Sequence, residues 1–240
     1  MDAGTEVSSL KLAINRKYGD AADSDPAVSC CGGGSQYGKD IPLGAKNASL
    51  GCGSPVDHIT LHEGMTLVDL GSGGGVDAFA AARKEKLIKV IGVDSTTKMV
   101  ARARRTATEN HFNNVEFRLG EIENIPIAGD TADVIISNCA VNLVPDKSRA
   151  FSEMFRILKR GGKLTISDII ANEKIPERVK NDPAKWSECV SGALSLDDLK
   201  SYLNAAGFVK FEILEESKWE KTDDEDLNLA SITFSAEKPI

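Results

Sequence analysis

The clearest ligand-binding chemistry in the sequence lies in the run Asp69-Leu70-Gly71-Ser72-Gly73-Gly74-Gly75. This run follows an apolar stretch typical of a strand and precedes a stretch with helical periodicity. Glycines at such a junction let the backbone approach a ligand, and the helix N-terminus favours an anionic group. The alternative is a tight strand-to-helix turn without a ligand, but so many glycines cost backbone entropy with no gain in packing. We therefore predict a nucleotide-type site.

The run departs from the dinucleotide-binding fingerprint in two ways. Counting from Gly71, the sixth position, which that fingerprint requires to be glycine, is Val76. The carboxylate of Asp69 would also lie beside a pyrophosphate and repel it. S-adenosylmethionine (SAM) has no phosphate, and its ammonium and sulfonium groups favour a nearby carboxylate. The pattern therefore favours SAM over a dinucleotide.

Acidic residues after the next two predicted strands extend this site. Asp94 ends the second strand, about 20 residues beyond the glycines, where a carboxylate can accept hydrogen bonds from ribose hydroxyls. Capping of the following helix is a compatible second role for Asp94. Glu121 follows the third strand and could accept from the adenine amine or simply face solvent. The predicted cofactor-binding residues are Asp69, Gly71, Ser72, Gly73, Asp94, Ser95, Met99, Glu121, Ile122 and Asn138.

The five cysteines are candidates for a second chemistry. Cys139 follows the fourth predicted strand, and Cys189 lies in a segment that should return over the same edge of the sheet. Cys52 stands between two glycines in a loop that precedes the fold. Thiols from these three segments could converge beside the methyl donor. Each could instead be a buried apolar filler, and Cys30 and Cys31 could lie in a flexible tail.

A zinc site is a further alternative. His58 and His62 have the H-x₃-H spacing and follow Cys52. A complete structural site would need another cysteine from the N-terminal segment, and no C-x₂-C pair is present. His111 is expected at the surface.

A regular alternation of strands and helices from residue 65 onward must position these side chains. Such alternation predicts an α/β, Rossmann-like fold, with a mostly parallel sheet covered by helices on both faces. The predicted strands are Met65–Leu70, Lys89–Asp94, Val115–Leu119, Ala132–Asn138 and Lys163–Asp168, and the predicted helices lie near 77–86, 96–110 and 147–158. Arg160-Gly161-Gly162 is expected to turn the chain into the fifth strand. Beyond it we predict a helix over 195–206 with Ser195 as its N-cap, and a closing antiparallel pair, Val209–Glu215 with Ala230–Glu237.

The composition argues against several kinds of partner. The chain has 240 residues, 41% of them hydrophobic, and a formal net charge of −7. Such an acidic chain is poorly suited to nucleic acid, and the run Arg102, Arg104, Arg105 is more simply a solvated helix face. The apolar stretches are strand-length and the N-terminus lacks a secretory signal, so we expect no membrane association and a cytoplasmic location.

The sequence also resembles two known groups of proteins, one broad and one more specific. Over roughly residues 64–168 the sequence resembles the class I SAM-dependent methyltransferases, through Asp69, Gly71, Gly73 and Asp94. Over most of residues 18–193 it more specifically resembles the arsenite methyltransferase family. That resemblance is carried by Cys30-Cys31-Gly32, Gly51-Cys52-Gly53-Ser54-Pro55, Leu119-Gly120-Glu121-Ile122-Glu123, Ser137-Asn138-Cys139-Ala140-Val141-Asn142-Leu143, Asp146-Lys147, Arg156-Ile157-Leu158-Lys159 and 186–189.

The resemblance implies that Cys52, Cys139 and Cys189 hold trivalent arsenic, while a cysteine at the position of Cys30 or Cys31 assists a redox step. The substrate would be arsenite or its thiol conjugates, methylated from SAM in arsenic detoxification. A thiol reductant, thioredoxin or glutathione, would be the co-substrate, with thioredoxin as a partner. We expect a cysteine-bearing N-terminal arm or lid over 1–63, and a methyltransferase domain over 64–240 with its acceptor segment near 170–195.

Two other functions stay open at this point. A methyltransferase acting on a quinol, sterol or thiol would keep the SAM site and use the cysteines as filler. A non-catalytic, thiol-based arsenic or metal sensor would bind arsenite and transfer nothing.

Overall fold

The computed structural model describes residues 3–23, 41–47, 53–180, 182–186, 188–219 and 227–240. The strands are β1 (Thr66–Leu70), β2 (Lys89–Asp94), β3 (Val115–Leu119), β4 (Ala132–Asn138), β5 (Leu158–Ala171), β6 (Val209–Lys218) and β7 (Leu229–Glu237). They form a seven-stranded sheet in the order β3-β2-β1-β4-β5-β7-β6. The first five pair in parallel, and β7 runs antiparallel to both of its neighbours. The predicted fold class is confirmed.

Helices cover both faces of this sheet. They are α1 (Ala3–Asp23), α2 (Leu43–Lys46), α3 (Val76–Lys84), α4 (Thr97–Glu109), α5 (Lys147–Ile157), α6 (Glu177–Lys180), α7 (Pro183–Trp186) and α8 (Leu196–Ala206). Short 3₁₀ helices span Pro55–His58 and Val141–Leu143. The predicted start of α8 is confirmed, because the Ser195 hydroxyl accepts a hydrogen bond from the Asp198 amide at 3.1 Å.

The hydrophobic core divides into two layers because successive side chains of a strand point to opposite faces. In β1, Val68 belongs to the layer that packs against α5 and α8, whereas Leu67 belongs to the layer that packs against α3 and α4. Phe151 on one side and Phe79 on the other are fully buried. The sheet is thus held rigidly at its centre, and the ends of its strands are fixed relative to one another.

The segment Arg160-Gly161-Gly162 does not form the predicted turn between helix and strand. These residues lie inside β5, where the pairing with β4 jumps from Leu158 to Lys163. Gly161 has φ +74°, and its amide donates to the Lys238 carbonyl at 2.8 Å. The prediction of a turn was wrong because this hydrogen bond keeps the glycines within the sheet as a bulge.

Helix α1 is the largest element that the sequence patterns did not predict. It is tied to α4 by Arg102, whose guanidinium donates to the Ala22 carbonyl at 2.7 Å and the Gly44 carbonyl at 2.9 Å. The interpretation of Arg102 as part of a solvated face was therefore wrong. Among the helices of the described residues, α1 included, none is long and apolar enough to cross a membrane.

Candidate cofactor cleft and thiol site

The glycine run forms a tight turn at the carboxyl end of β1. Gly71 and Gly73 have φ of +71° and +50°, which side-chain-bearing residues rarely adopt. The Gly71 amide donates to the Val93 carbonyl at 2.8 Å, which binds the turn to β2. A Cβ at Gly71 would lie 2.2 Å from the Cβ of Ala140. Glycine at this position thus allows two loops at the strand ends to meet around a cleft.

Asp94 lies at the end of β2 and faces this cleft, as predicted. Its Oδ2 accepts from the Gly73 amide at 2.9 Å and its Oδ1 from the Thr96 amide at 2.8 Å. Burial raises the pKa of Asp94, and these two hydrogen bonds oppose the rise. The Thr96 side chain also hydrogen-bonds Asp94. A carboxylate has about four lone-pair sites, so Asp94 can still accept from a ribose hydroxyl.

Asp69 lies behind the glycine loop and is 2% exposed. Its Oδ2 has no hydrogen-bond partner among the described residues. Burial raises the pKa of Asp69 well above its usual value, and the neighbouring charges of Asp77 and Asp94 add to the rise. A cluster of three carboxyl groups beneath the loop suits a cationic ligand and opposes a phosphate, which fits SAM.

The other predicted cofactor-binding residues surround the same cleft. It is lined by Gly71, Ser72, Gly73, Asp94, Ser95, Met99, Glu121, Ile122 and Asn138. Of the predicted set, Asp69 alone stands behind the wall rather than in it.

The sequence patterns gave no indication that helix α1 covers this cleft. Lys11, Ile14, Asn15 and Tyr18 all line it from one face of the helix. Their i, i+3, i+4, i+7 spacing is a signal that could have revealed this face. The Lys11 ammonium pairs with Glu121 at 2.8 Å and with Glu123, at 3.1 Å, on the opposite side.

Cys139 lines the cleft, and Cys189 lies next to Cys139 without lining the cleft itself. Their sulfur atoms and a carboxylate oxygen of Asp168 all lie within 4.8 Å of one another. The Cys189 thiol donates to the Cys139 carbonyl at 3.1 Å, across 50 residues of sequence. Cys139 is disulfide-bonded, whereas Cys189 is not. The structure therefore brings together two of the three predicted arsenic ligands.

Both cysteines have a strained backbone. Cys139 has φ +52° and Cys189 has φ +65°. Non-glycine residues in this region cost roughly 1–3 kcal/mol each and cluster at functional sites. Two such residues with adjacent sulfur atoms indicate that the surrounding structure holds the thiols in place.

Asn142 joins the segments that carry the two thiols. Its side-chain amide donates to the Ile169 carbonyl at 2.7 Å and to the Cys189 carbonyl at 3.2 Å. Its backbone amide donates to Asp168 Oδ2 at 3.1 Å. A Cβ at Gly192 would lie 1.9 Å from the Asn142 carbonyl oxygen, so the Cys189 segment can approach this closely only with glycine there.

Two buried charged groups flank the thiols, and the sequence patterns assigned a role to neither. Burial raises the pKa of Asp168 to about 6. Burial lowers the pKa of Lys147 to about 8, while the charges of Asp168 and Cys189 oppose this effect. The Lys147 ammonium donates to the carbonyls of Asn142 and Val144 and lies 5.2 Å from the centre of the Trp186 ring.

Cys30, Cys31 and Cys52 lie outside the described residues. The neighbour of Cys52, Gly53, is held beside the cleft by Asn138. The Asn138 side-chain amide donates to the Gly53 carbonyl at 2.6 Å, and its oxygen accepts from the Gly53 amide at 3.3 Å.

The zinc alternative receives no support from the histidines. His58 Nε2 lies 3.0 Å from Glu215 Oε2. Within the part of the chain that the structure describes, the grouping of three potential metal ligands is that of Cys139, Asp168 and Cys189, which contains no histidine.

The fold and the cleft together define the class of protein to which this chain belongs. A parallel sheet with a glycine loop after β1 and an acidic residue at the end of β2 is the architecture of class I SAM-dependent methyltransferases. A family model described as "Methyltransferase domain" matches residues 61–207. The chain is also 42% identical to an arsenite methyltransferase of Halobacterium salinarum, over 79% of this chain and 51% of that protein.

Further relatives narrow the class to a family. The arsenite methyltransferase of Mus musculus is 38% identical over 66% of this chain and 44% of its own length. The crystal structure of CrArsM, an arsenic (III) S-adenosylmethionine methyltransferase from Chlamydomonas reinhardtii, superimposes with a TM-score of 0.75 at 32% identity. That match covers 83% of this chain and 71% of CrArsM. The chain belongs to the arsenite methyltransferase family, and it spans about half the length of the curated relatives it matches.

Proposed function

We propose that this protein transfers a methyl group from SAM to trivalent arsenic held by its cysteine thiolates, as part of arsenic detoxification. The observation that carries the proposal is the position of two sulfur atoms. Those of Cys139 and Cys189 lie within 4.8 Å of each other, and Cys139 lines the cleft that suits SAM. Trivalent arsenic is soft and prefers thiolate ligands, so this pair is suited to hold it.

The residues of the cleft have the chemistry needed to bind SAM, which supplies an electrophilic methyl group on its sulfonium. Asp94 accepts from a ribose hydroxyl with its remaining lone pair. The buried carboxyl groups of Asp69 and Asp77 favour a cation above the glycine loop. Helix α1 covers the cleft, and its exclusion of water strengthens these interactions.

The acceptor side needs no general base. The arsenic lone pair forms the new bond to carbon, and the bond between the methyl group and the sulfonium breaks with its electron pair left on that sulfur. None of the three histidines of the chain lines the cleft. Holding the two reactants in line can by itself contribute roughly 7–11 kcal/mol of barrier reduction.

Redox chemistry must accompany the transfer. Cys139 is disulfide-bonded, so a reductant has to free its sulfur before it can bind arsenic. Methylation formally oxidises arsenic by two electrons, and a pair of thiols returns it to the trivalent state as they join in a disulfide. We propose Cys30 or Cys31 as a participant, with thioredoxin or glutathione as the reductant in a cytoplasmic setting.

Cys52 is the proposed third arsenic ligand. Adjacent Cα atoms are about 3.8 Å apart in a trans peptide, and Gly53 is fixed at the residue before Cys139. This anchoring supports a role for Cys52 beside the thiol pair. The N-terminal arm over 1–63 would then contribute both a ligand and, through α1, a wall of the SAM cleft.

The test is the speciation of products formed from labelled SAM, arsenite and a thiol. The wild type is expected to yield methylarsenic, and Cys139→Ser to yield none while binding SAM normally. Labelled product without arsenic would instead indicate another small-molecule acceptor. Arsenite binding without any transfer would indicate a sensor, and loss of SAM binding in Cys139→Ser would assign Cys139 to the fold.

A further inference from the structure

The carboxylate of Asp168 shares the thiol site, yet the proposed methylation does not use it. Asp168, Cys139 and Cys189 are 4%, 5% and 1% exposed, so the three ligand atoms meet out of bulk water. They belong to three separate segments: the interior of β5, the end of β4 and the loop after α7. A buried carboxylate beside two thiols is a costly arrangement unless something compensates it.

The orientation of Asp168 is fixed without exhausting its capacity as a ligand. Its Oδ1 accepts from the Ile169 amide at 2.8 Å and its Oδ2 from the Asn142 amide at 3.1 Å. The Val141 amide also hydrogen-bonds Asp168. A carboxylate has about four lone-pair sites, so a lone pair remains for a further partner. The backbone thus holds this ligand in place before any ion arrives.

The donor set differs from the one that trivalent arsenic prefers. Arsenic is soft and takes thiolates, whereas two thiolates with one carboxylate oxygen suit borderline cations such as Zn²⁺. Around a tetrahedral Zn²⁺, bonds of about 2.3 Å to sulfur and 2.0 Å to oxygen place the ligand atoms roughly 3.5–3.8 Å apart. The three atoms here lie within 4.8 Å of one another, so a closure of at most roughly 1.3 Å completes the geometry.

We propose that the reduced protein binds a thiophilic divalent cation, Zn²⁺ or Cd²⁺, through Cys139, Cys189 and Asp168, and that this cation excludes arsenite from the thiol site. Binding releases the two thiol protons, and the three anionic ligands leave the complex with one net negative charge. The ammonium of Lys147, which interacts electrostatically with both Asp168 and Cys189, balances that charge. This inference goes beyond methylation and does not depend on it.

The test titrates Zn²⁺ against a chromophoric chelator, without SAM or thiols. A phosphine reductant and one water molecule open the disulfide of Cys139, giving two thiols and the phosphine oxide. We expect one Zn²⁺ per chain, and an affinity at least about tenfold lower in Asp168→Asn, since even partners of a metal ligand contribute 10- to 100-fold. Arsenite affinity in the same variant should change far less, because arsenic needs only the thiolates.

The double variant His58→Ala/His62→Ala is the matched control, because those histidines formed the alternative zinc site. It should bind Zn²⁺ as the wild type does. Loss of binding in the double variant, no binding by the wild type, or equal weakening of Zn²⁺ and arsenite in Asp168→Asn would each overturn the inference.

A second measurement does not depend on how well Asp168→Asn folds. X-ray absorption at the zinc edge of the loaded wild type should show sulfur at about 2.3 Å together with oxygen at about 2.0 Å. A shell of sulfur alone, or scattering from imidazole, would overturn the inference. A protein that binds zinc in this way but produces no methylarsenic would refute the proposed function and support the metal site. A protein that produces methylarsenic but does not bind zinc in this way would support the proposed function and refute the metal site.

Discussion

The backbone of Cys189 allows a direct measurement of the strain at the thiol site. Cys189 is not in a disulfide, is 1% exposed and has φ +65°. The left-handed region costs a residue with a Cβ roughly 1–2 kcal/mol, and glycine escapes this cost. The perturbation is therefore a pair of variants, Cys189→Ala and Cys189→Gly, which both lack sulfur and differ in their freedom to adopt this φ.

The expected magnitude follows from a comparison with Ala140, a buried neighbour of the site with φ −118°. At Ala140, glycine has no strain to relieve. Ala140→Gly should lower the free energy of unfolding by about 1–2 kcal/mol, from roughly 0.5–1 of backbone entropy and 0.8 for a buried methyl. The same two losses apply at Cys189, where the relief of strain offsets them. Cys189→Gly and Cys189→Ala should therefore be about equally stable.

The assay is equilibrium unfolding in urea, with reductant and without SAM. At each position the free energy of unfolding of the glycine form is subtracted from that of the alanine form. This difference should be about 1–2 kcal/mol smaller at position 189 than at position 140. In thermal unfolding this corresponds to roughly 2–8 °C for a chain of this size. If glycine costs as much at Cys189 as at Ala140, the backbone there stores no strain and the reasoning is refuted.

Two further predictions concern the cofactor cleft. Burial raises the pKa of Asp69, so the folded state holds that proton more tightly and the stability of the wild type should fall as pH rises from 3.8 through the raised pKa. Asp69→Asn should reduce this pH dependence, measured by thermal unfolding, and should weaken SAM binding, measured by calorimetry. A pH dependence of stability that is the same in the variant would show that the charge of Asp69 does not affect stability. Lys11→Met loses the ion pairs to Glu121 and Glu123 and should raise the dissociation constant of SAM about two- to tenfold at low salt, and less at high salt. Lys163→Met is the control, because Lys163 pairs with Glu237 on β7. An equal change in the dissociation constant of SAM in both variants would exclude a role for α1.

The strands and the cofactor loop were predictable because their signals are local. The bounds of β2, β3 and β4 match the predicted ranges, since apolar runs bounded by turn residues specify buried parallel strands. Parallel strands also align their carboxyl ends, so the position of Asp94 at the cleft followed from topology alone. Helix α1 was not predicted because the apolar periodicity over its whole length is weak. Only the tertiary structure shows that one side of this helix covers the cleft and that Arg102 binds its C-terminal end.

The amino-acid sequence by itself determined the class of fold, the glycine turn, the position of Asp94 at the end of β2 and the presence of cysteines near the sheet edge. Those features depend on periodicity and on backbone conformations within a few residues. Only the tertiary structure decided that the sulfur atoms of Cys139 and Cys189 meet, that Asp168 joins them and that Lys11 reaches across the cleft. These contacts join residues 21 to 110 positions apart. Their distances depend on how loops close and side chains pack, which no local pattern encodes.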